Sequence, residues 1–298
     1  MARALVTGGA GFIGSHLVDA LLQRGDSVRV LDDFSSGRRE NLPQGQAGLE
    51  ILEGDLRDPD LVRAAVRDVD LVFHLAAFIS VPQSMVEPQT CFEVNVAGTV
   101  GLLEAARQAG AKKVVLSSST AVYGDCDRLP ISEDEALRPL SPYAVSKEVA
   151  ELYARLYTQN FGLPVAALRY FNIYGPRQAP NSPYAAAIPI FVEALKSGQP
   201  ITIFGDGKQT RDFVFVADVV RANLLAAGNP ASAGEVFHIC TGAETSVLDL
   251  LEELSGVAGR NPEDRSAGDP GKATRMLGFH AGVSLAEGLR QTLEWMAA

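Results

Sequence analysis

Gly8, Gly11 and Gly14 stand in the run Leu5-Val6-Thr7-Gly8-Gly9-Ala10-Gly11-Phe12-Ile13-Gly14, and they constrain the fold more than any other feature of the chain. The apolar residues 4–6 predict a strand that ends in this turn, and residues 12–24 have the pattern of a helix that starts in it. Such a strand–turn–helix brings main-chain N–H groups and the positive end of a helix dipole to one point, where a pyrophosphate can be held. Glycine is needed for the backbone angles of the turn and for close approach to the anion. A second apolar run, 28–31, ends in Asp32, eighteen residues beyond Gly14. That spacing suits an acid accepting from adenosine ribose hydroxyls, so the set reads as a dinucleotide site. A carboxylate at Asp32 repels a 2′-phosphate, so NAD is expected rather than NADP. Arg38 is the nearby cation that would work the other way.

The chain has 298 residues, enough for one large α/β domain or two coupled lobes. Its formal net charge of −10 argues against nucleic-acid or anionic-membrane partners, which need basic patches. A phosphorylated small molecule needs only a few local cations. Cys91, Cys126 and Cys240 are far apart and form no CxxC, which reads as reduced buried thiols with no disulfide framework or metal site. The first strand begins within the first residues and no apolar run approaches membrane-spanning length, so a cytoplasmic protein is expected.

Strands are expected over 4–6, 28–31, 49–52, 71–75, 114–117 and 165–170, and helices over 12–24, 59–67, 93–108 and 142–161. Short apolar strands alternating with helices predict a doubly wound parallel sheet covered on both faces, with ligands outside the carboxyl ends of its strands. After Tyr170 the rhythm changes. Residues 172–189 read as a loop, followed by a helix over 188–196 and a strand over 200–204. A strand over 213–215, a helix over 218–227 and a strand over 236–239 are expected to return to the main sheet. Capping boxes at Ser246–Asp249 and Ser284–Glu287 open two tail helices. The expected division is residues 1–171 with 212–240 as a dinucleotide-binding domain. Residues 172–211 and 241–298 form a smaller, discontinuous C-terminal substrate-binding lobe.

Tyr143 and Lys147 form Tyr-x-x-x-Lys at the start of the helix over 142–161, one turn apart on one face. A phenol near pKa 10 is a poor base at neutral pH. A neighbouring ammonium and a positive nicotinamide would favour the phenolate, which can then take a proton from a sugar hydroxyl as hydride leaves the same carbon. The motif alone fits equally a helical tyrosine on a charged surface. Ser117, Ser118, Ser119 and Thr120 end a strand, where Ser119 can hydrogen-bond a substrate oxygen or cap its own backbone. His74 reads as a strand-end structural histidine.

Taken with Asp32-Asp33, Gly54-Asp55-Leu56, His74-Leu75-Ala76-Ala77, Asn95, Val122-Tyr123-Gly124, Arg169-Tyr170-Phe171-Asn172-Ile173-Tyr174-Gly175-Pro176 and Arg211-Asp212, these motifs span most of the chain. The chain resembles an extended short-chain dehydrogenase/reductase, and within that group the UDP-glucose (UDP-galactose) 4-epimerases. The resemblance implies an α/β Rossmann-type fold and NAD as cofactor. It puts Gly8, Gly11, Phe12, Ile13 and Gly14 on the pyrophosphate, Asp32 and Asp33 at the adenosine ribose, and Asp55 and Leu56 beside the adenine. Leu75, Ala76, Ala77, Asn95, Ser117, Tyr143, Lys147 and Tyr170 complete the cofactor set. Tyr143 is implied as catalytic base, Ser119 as its partner and Lys147 as a ligand of the nicotinamide ribose. Substrate contacts are implied at Ser80, Ser119, Tyr143, Asn172, Ala187, Ile188, Thr202, Phe204, Arg211 and Asp269. Arg211 suits a phosphate, since a guanidinium bonds it in pairs; a salt bridge with Asp206 or Asp212 is the alternative.

The 4,6-dehydratases of the group carry an Asp-Glu pair where this chain has Thr120-Ala121. Without that acid and base, epimerisation is the expected chemistry. The run Tyr184-Ala185-Ala186-Ala187-Ile188-Pro189, with a small residue at 187, and Ser80 resemble the branch that accepts N-acetylhexosamines. Arg265-Ser266-Ala267-Gly268-Asp269 runs almost directly into Lys272-Ala273, a shortened stretch compared with relatives. The expected activity is that of a UDP-hexose 4-epimerase acting through a transient 4-keto sugar. The alternatives are another sugar-nucleotide epimerase or reductase of the group, and a non-catalytic NAD-binding regulator. Apolar Val100, Leu103, Val149, Leu152 and Leu156 on two helices that pair across a two-fold axis in relatives imply a homodimer.

Overall fold

A computed structural model describes residues 1–126, 128–179, 187–197, 201, 203, 206–255 and 267–297. Contacts divide the chain into two units, Met1–Asp125 with Ala136–Arg169 and Val220–Phe237, and Cys126–Glu135 with Tyr170–Val219 and His238–Ala298. Strands β1 (Arg3–Thr7), β2 (Ser27–Asp32), β3 (Leu49–Glu53), β4 (Leu71–His74), β5 (Lys113–Ser119), β6 (Val165–Tyr170) and β10 (Val236–Ile239) form one sheet in the order β10-β6-β5-β4-β1-β2-β3. The pairings β3–β2–β1–β4–β5 are parallel. The order reverses between β1 and β4, which opens a crevice at their carboxyl ends. This is a Rossmann-type doubly wound fold.

The residues explain the elements. Ala4, Leu5 and Val6, Val114, Val115 and Leu116, and Val165 to Leu168 are all buried, as strands covered on both faces must be. Leu5, Leu102, Leu103, Val114 and Ala154 belong to one core cluster. Helix α1 (Phe12–Gln23) follows the glycine turn. Helix α2 (Pro59–Ala65) is capped by Asp58, with proline in its first turn. Two short helices, α3 (Val81–Val86) and α4 (Pro88–Phe92), lead into α5 (Thr99–Gln108) through a π-helical turn, Glu93–Gly98. The single helix expected over 93–108 is therefore interrupted at its start. Helix α6 (Pro142–Phe161) is capped by Ser141, whose hydroxyl accepts from Ala144 N–H, and it stops at Gly162 with φ +70°.

In the second unit, β7 (Asn172–Tyr174) pairs in parallel with β9 (Phe213–Phe215), and β8 (Thr210–Arg211) pairs antiparallel with β11 (Thr245–Ser246). The strand expected over 213–215 does exist, but it lies in this small sheet and not in the main one. Its all-apolar sequence serves either place; burial of Phe213, Val214 and Phe215 against the second unit decides. The segment Cys126–Glu135 groups here because Ile131 N–H donates to Ala267 O and Ile131 O accepts from Asp269 N–H. Helices α7 (Ala187–Ser197), α9 (Val247–Ser255), α10 (Gly271–Leu277) and α11 (Leu285–Ala297) belong to this unit, while α8 (Val216–Gly228) crosses the division. The Ser246–Asp249 capping box is reciprocal, at 2.9 and 3.2 Å, and Ser284 Oγ accepts from Glu287 N–H. The expected strand over 200–204 falls largely outside the described residues.

The β1–α1 turn is the tightest joint of the first unit. A Cβ on Gly14 would lie 2.1 Å from Gly8 O and 2.8 Å from Gly9 Cα, both backbone atoms that cannot yield without moving the helix. Gly14→Ala is expected to cost about 2 kcal/mol or more and to weaken NAD binding. Thermal melts with and without NAD check this; a variant with unchanged Tm and unchanged shift on adding NAD would contradict it.

Candidate active site

The cofactor half of the site is built on the carboxyl ends of β1, β2, β4 and β5. Gly8 has φ +69°, and a Cβ there would meet Ala76 N at 2.7 Å. No side chain caps the N-terminus of α1. A Cβ at Gly11 would meet only Gly8 O, at 3.2 Å, so the space in front of the turn is open. An uncapped helix end facing open space beside a backbone turn fits a pyrophosphate. Phe12 and Ile13 flank it, partly exposed. The Asp32 carboxylate accepts from Ala10 N–H at 2.8 Å and Phe34 N–H at 2.9 Å, and burial raises its pKa. Asp33 is turned to Ser35. Arg38, the cation that would favour a 2′-phosphate, pairs at 3.9 Å with Glu40.

Asp55 is gripped by Arg57, whose hydrogen bond holds its carboxyl below the usual range. Arg57 also reaches Glu93 at 3.3 Å. Leu56 is buried and lines a cavity of about 500 Å³ with Arg57, Val62, Gly98 and Gly101, all within the first unit. Leu56 and Val62 give it apolar surface, while Arg57, Arg63, Glu93 and Glu104 make its rim charged.

Behind the turn runs a buried chain of hydrogen bonds. Ala76 N–H donates to Thr7 Oγ1 at 3.3 Å, and Thr7 Oγ1 lies 2.7 Å from His74 Nδ1. On the other side His74 Nε2 lies 2.8 Å from Thr99 Oγ1, whose proton goes to Asn95 O at 2.6 Å. Thr99 has one proton, so His74 carries its own on Nε2 and accepts at Nδ1. Asn95 in the π turn then clamps Phe78 through both backbone atoms, at 2.7 and 3.0 Å, and donates to Ser146 Oγ at 2.9 Å. Leu75, Ala76 and Ala77 are thus held between β4 and the π turn. Ser80 caps α3, accepting from Gln83 N–H.

The catalytic candidates meet where α6 crosses the end of β5. Lys147 Nζ donates to Ser117 O at 3.0 Å and Ser117 Oγ at 3.3 Å, and stands 5.8 Å from the centre of the Tyr143 ring. The Tyr143 phenol faces Ser119, which favours its ionised form, and its backbone N–H donates to Ser84 Oγ. Burial lowers Lys147 to about 8. Burial also raises Tyr143, against the expected lowering, with Ser119 opposing the rise. The chain alone therefore does not make a phenolate; the desolvation that gathers these groups works against ionising either.

Ser80, Ser119 and Tyr143 belong to the first unit; the other substrate candidates, and Tyr170 of the cofactor set, belong to the second. Tyr170 is buried at the end of β6. Asn172 N–H and Nδ2 both donate to Asp212 O. The fully buried Asp212 carboxylate accepts from Thr241 N–H and Oγ1, Gly242 N–H and Gly268 N–H, at 2.7 to 3.4 Å. Asp206 pairs with Lys208. Neither carboxylate takes Arg211, whose guanidinium donates to Thr210 O and has no carboxylate partner among the described residues. Ile188 is buried in α7. Asp269 accepts from Gly271 N–H. Thr202, Phe204, residues 184–186 and 265, and the Ala187 side chain lie outside the described residues.

Sequence reading missed Thr7, Thr99, Ser84, Ser146, Ser118, Glu151 and Asp212 as supports. The last repeat of the Tyr-x-x-x-Lys spacing, at Glu151, was the available signal. Among the described residues no helix is long and apolar enough to cross a membrane.

A family model described as the NAD dependent epimerase/dehydratase family matches residues 4–240. The UDP-glucose 4-epimerase of Mycolicibacterium smegmatis is 44% identical, over 98% of this chain and 98% of its own. The UDP-N-acetyl-alpha-D-glucosaminuronate decarboxylase of Bacillus cytotoxicus is 34% identical over 98% of this chain and 97% of its own. Among solved structures, the UDP-N-acetylglucosamine 4-epimerase of Methanobrevibacter ruminantium, in complex with UDP-N-acetylmuramic acid, superposes with a TM-score of 0.93 at 38% identity, covering 99% of this chain and 98% of the other.

Burial depresses His74 from 6.5 to about 3. Below pH 6.5 the unfolded chain gains a proton that the folded protein refuses, so stability falls as pH drops toward 3. Between pH 7 and 5 this amounts to about 2 kcal/mol for one histidine. Urea unfolding should show the wild type losing about that much more than His74→Gln over the same interval; equal losses would contradict the buried neutral imidazole.

Proposed function

The chain belongs to the NAD-dependent epimerase/dehydratase family, and from that premise we propose that this NAD-dependent isomerase is a UDP-sugar 4-epimerase acting on UDP-glucose and UDP-galactose, with their N-acetyl counterparts as further substrates. The observation that carries the proposal is the meeting of Tyr143, Ser119 and Lys147 at the end of β5, followed by Thr120-Ala121 rather than a carboxylic acid pair. When bound, NAD supplies the hydride acceptor and returns the hydride to the opposite face of the sugar. The chain's own part is to move the proton and to orient the sugar. Tyr143 takes the proton of the C4 hydroxyl and gives it back, and Ser119 holds the same oxygen. Lys147 stays on the Ser117 carbonyl, where its charge opposes the rise that burial imposes on the phenol. Arg211, with no carboxylate to neutralise it among the described residues, takes the diphosphate. Asp212 fixes the strand that presents it and, through its main chain, Asn172.

Two further features support the reading. Without an acid–base pair at 120–121, a keto sugar would have no catalyst for elimination and would return to an alcohol. The small residue at 187 and the serine at 80 are similar to the branch that accepts N-acetylhexosamines, as the resemblance implies. The relative named as a decarboxylase motivates a second reading, a UDP-uronate substrate, which release of carbon dioxide would reveal.

We also propose a homodimer through α6. Val145, Leu152 and Leu156 are 46%, 55% and 41% exposed, and with Val149 they repeat at heptad spacing. Leu103, expected on this face, is instead fully buried in the core. Its neighbours on α5 face the sheet, so α6 carries the exposed stripe.

Tyr143→Phe is expected to remove at least about a thousandfold of turnover, within the range that proton transfer by a positioned group supplies, while leaving Tm and NAD content unchanged. Near-wild-type interconversion of UDP-glucose and UDP-galactose would sink the mechanism. For the assembly, light scattering at micromolar concentration should give twice the chain mass, and Leu152→Glu with Leu156→Glu should halve it. A wild-type monomer would refute the dimer.

A further inference from the structure

Three successive serines at the end of β5 are each met by one of three side chains on α6. Lys147 donates to Ser117 O and Oγ, Tyr143 faces Ser119, and the Ser118 hydroxyl donates to Glu151 Oε1 at 2.5 Å. Tyr143, Lys147 and Glu151 stand four residues apart, so they rise along one face of the helix about 6 Å at a time. Glu151 is 4% exposed, and Arg169 on β6 holds it with Nε at 2.8 Å and Nη2 at 2.6 Å. Arg169 also bonds the hydroxyl of Tyr123, in the turn that follows Ser119. The loop of contacts closes from β5 through that turn and α6 to β6.

A buried ion pair like this is weak as a source of stability, because desolvating both ions cancels much of their attraction. Its placement suggests another use. The groups facing Lys147 are Tyr143 and Glu151 from α6, Cys91 from α4, Ser117 from β5 and the neutral His74 from β4. Of these, Glu151 is the one carboxyl group, and it is ion-paired with Arg169. Burial pulls Lys147 down to about 8, and Cys91 and then Glu151 act the other way.

Building on the reading that Tyr143 and Lys147 carry the chemistry, we propose that Glu151, held by Arg169, is a positioning residue for them. It locks the register of α6 against the three serines and supplies the negative charge that keeps Lys147 an ammonium. Ser118 shares the first task but not the second.

The test is a titration of Lys147 in the NAD-bound protein, followed by NMR with lysine labelled at Cε and the signal assigned through Lys147→Arg. Glu151→Gln keeps the shape and is expected to lower the Lys147 midpoint by about one pH unit, the effect of removing one nearby opposite charge. Ser118→Ala should leave the midpoint in place. Glu151→Gln removes the carboxylate that balances the buried Arg169 charge, which threatens the fold. The double variant Glu151→Gln/Arg169→Gln leaves no such charge and should show a smaller fall, since losing the Arg169 cation offsets part of it. A wild-type midpoint in folded Glu151→Gln, or a rise above it in the double variant, overturns the proposal, and so does an equal fall in Ser118→Ala. The titration needs no turnover. If the wild type converts no UDP-sugar, the functional reading fails while the role of Glu151 is still decided.

Discussion

The inner strands of the main sheet are covered on both faces, and that constraint governs where most polar groups go. Runs such as Val114-Val115-Leu116 and Val165-Ala166-Ala167-Leu168 leave no hydrogen-bonding side chain along their length. Polar residues collect instead at the carboxyl ends, where Thr7, Asp32, His74 and Ser117 to Ser119 follow the apolar run of β1, β2, β4 and β5. Helix N-termini arrive at the same edge because each crossover helix runs back across the sheet. The reversal between β1 and β4 separates the helices there and leaves the crevice open. The binding turn, the acid and the serines are thus consequences of one packing rule, distributed over strands that are far apart in sequence.

Two kinds of support hold that edge, and they differ in electrostatic character. On the β1–β4 side the chain from Ala76 through Thr7, His74 and Thr99 to Asn95 is neutral, with donors and acceptors matched one to one. On the β5–β6 side the support is ionic, with Lys147, Glu151 and Arg169 arranged in a line of alternating charge. The division suits the chemistry. A phenol that must lose and regain a proton needs charges close by that do not move. Burial alone would leave Tyr143 protonated and Lys147 weakened, so the fixed partners around them carry the functional burden.

Much of this was legible in the chain. Glycine spacing, Asp32 and the Tyr143–Lys147 pair each rest on local geometry that a sequence fixes: a turn, a strand end, one turn of a helix. The ends of α6 were readable for the same reason, from Ser141-Pro142 at one end and Gly162 at the other. What was not legible depends on neighbours distant in sequence. Phe213–Phe215 has the composition of any buried strand, and its pairing with β7 follows from tertiary contacts. Leu103 and Leu152 look alike in a helical pattern, yet one is fully buried and the other 55% exposed. That neither Asp206 nor Asp212 pairs with Arg211 follows from where they point, which is set by Lys208 in one case and by Thr241, Gly242 and Gly268 in the other. Glu151 was overlooked because a carboxylate on a helix is ordinarily a solvated one; its burial depends on Arg169, eighteen residues later and on another strand.

The central claim is that this edge carries out a reaction that returns its cofactor unchanged. The most direct measurement is incubation of the purified protein, without added NAD, with each member of the UDP-glucose/UDP-galactose and UDP-N-acetylglucosamine/UDP-N-acetylgalactosamine pairs, followed by separation of the products. The account predicts that at least one pair reaches the same equilibrium mixture from either side, with no net NADH. A protein that carries bound NAD yet converts neither pair, or one that consumes NAD in proportion to product, would contradict it.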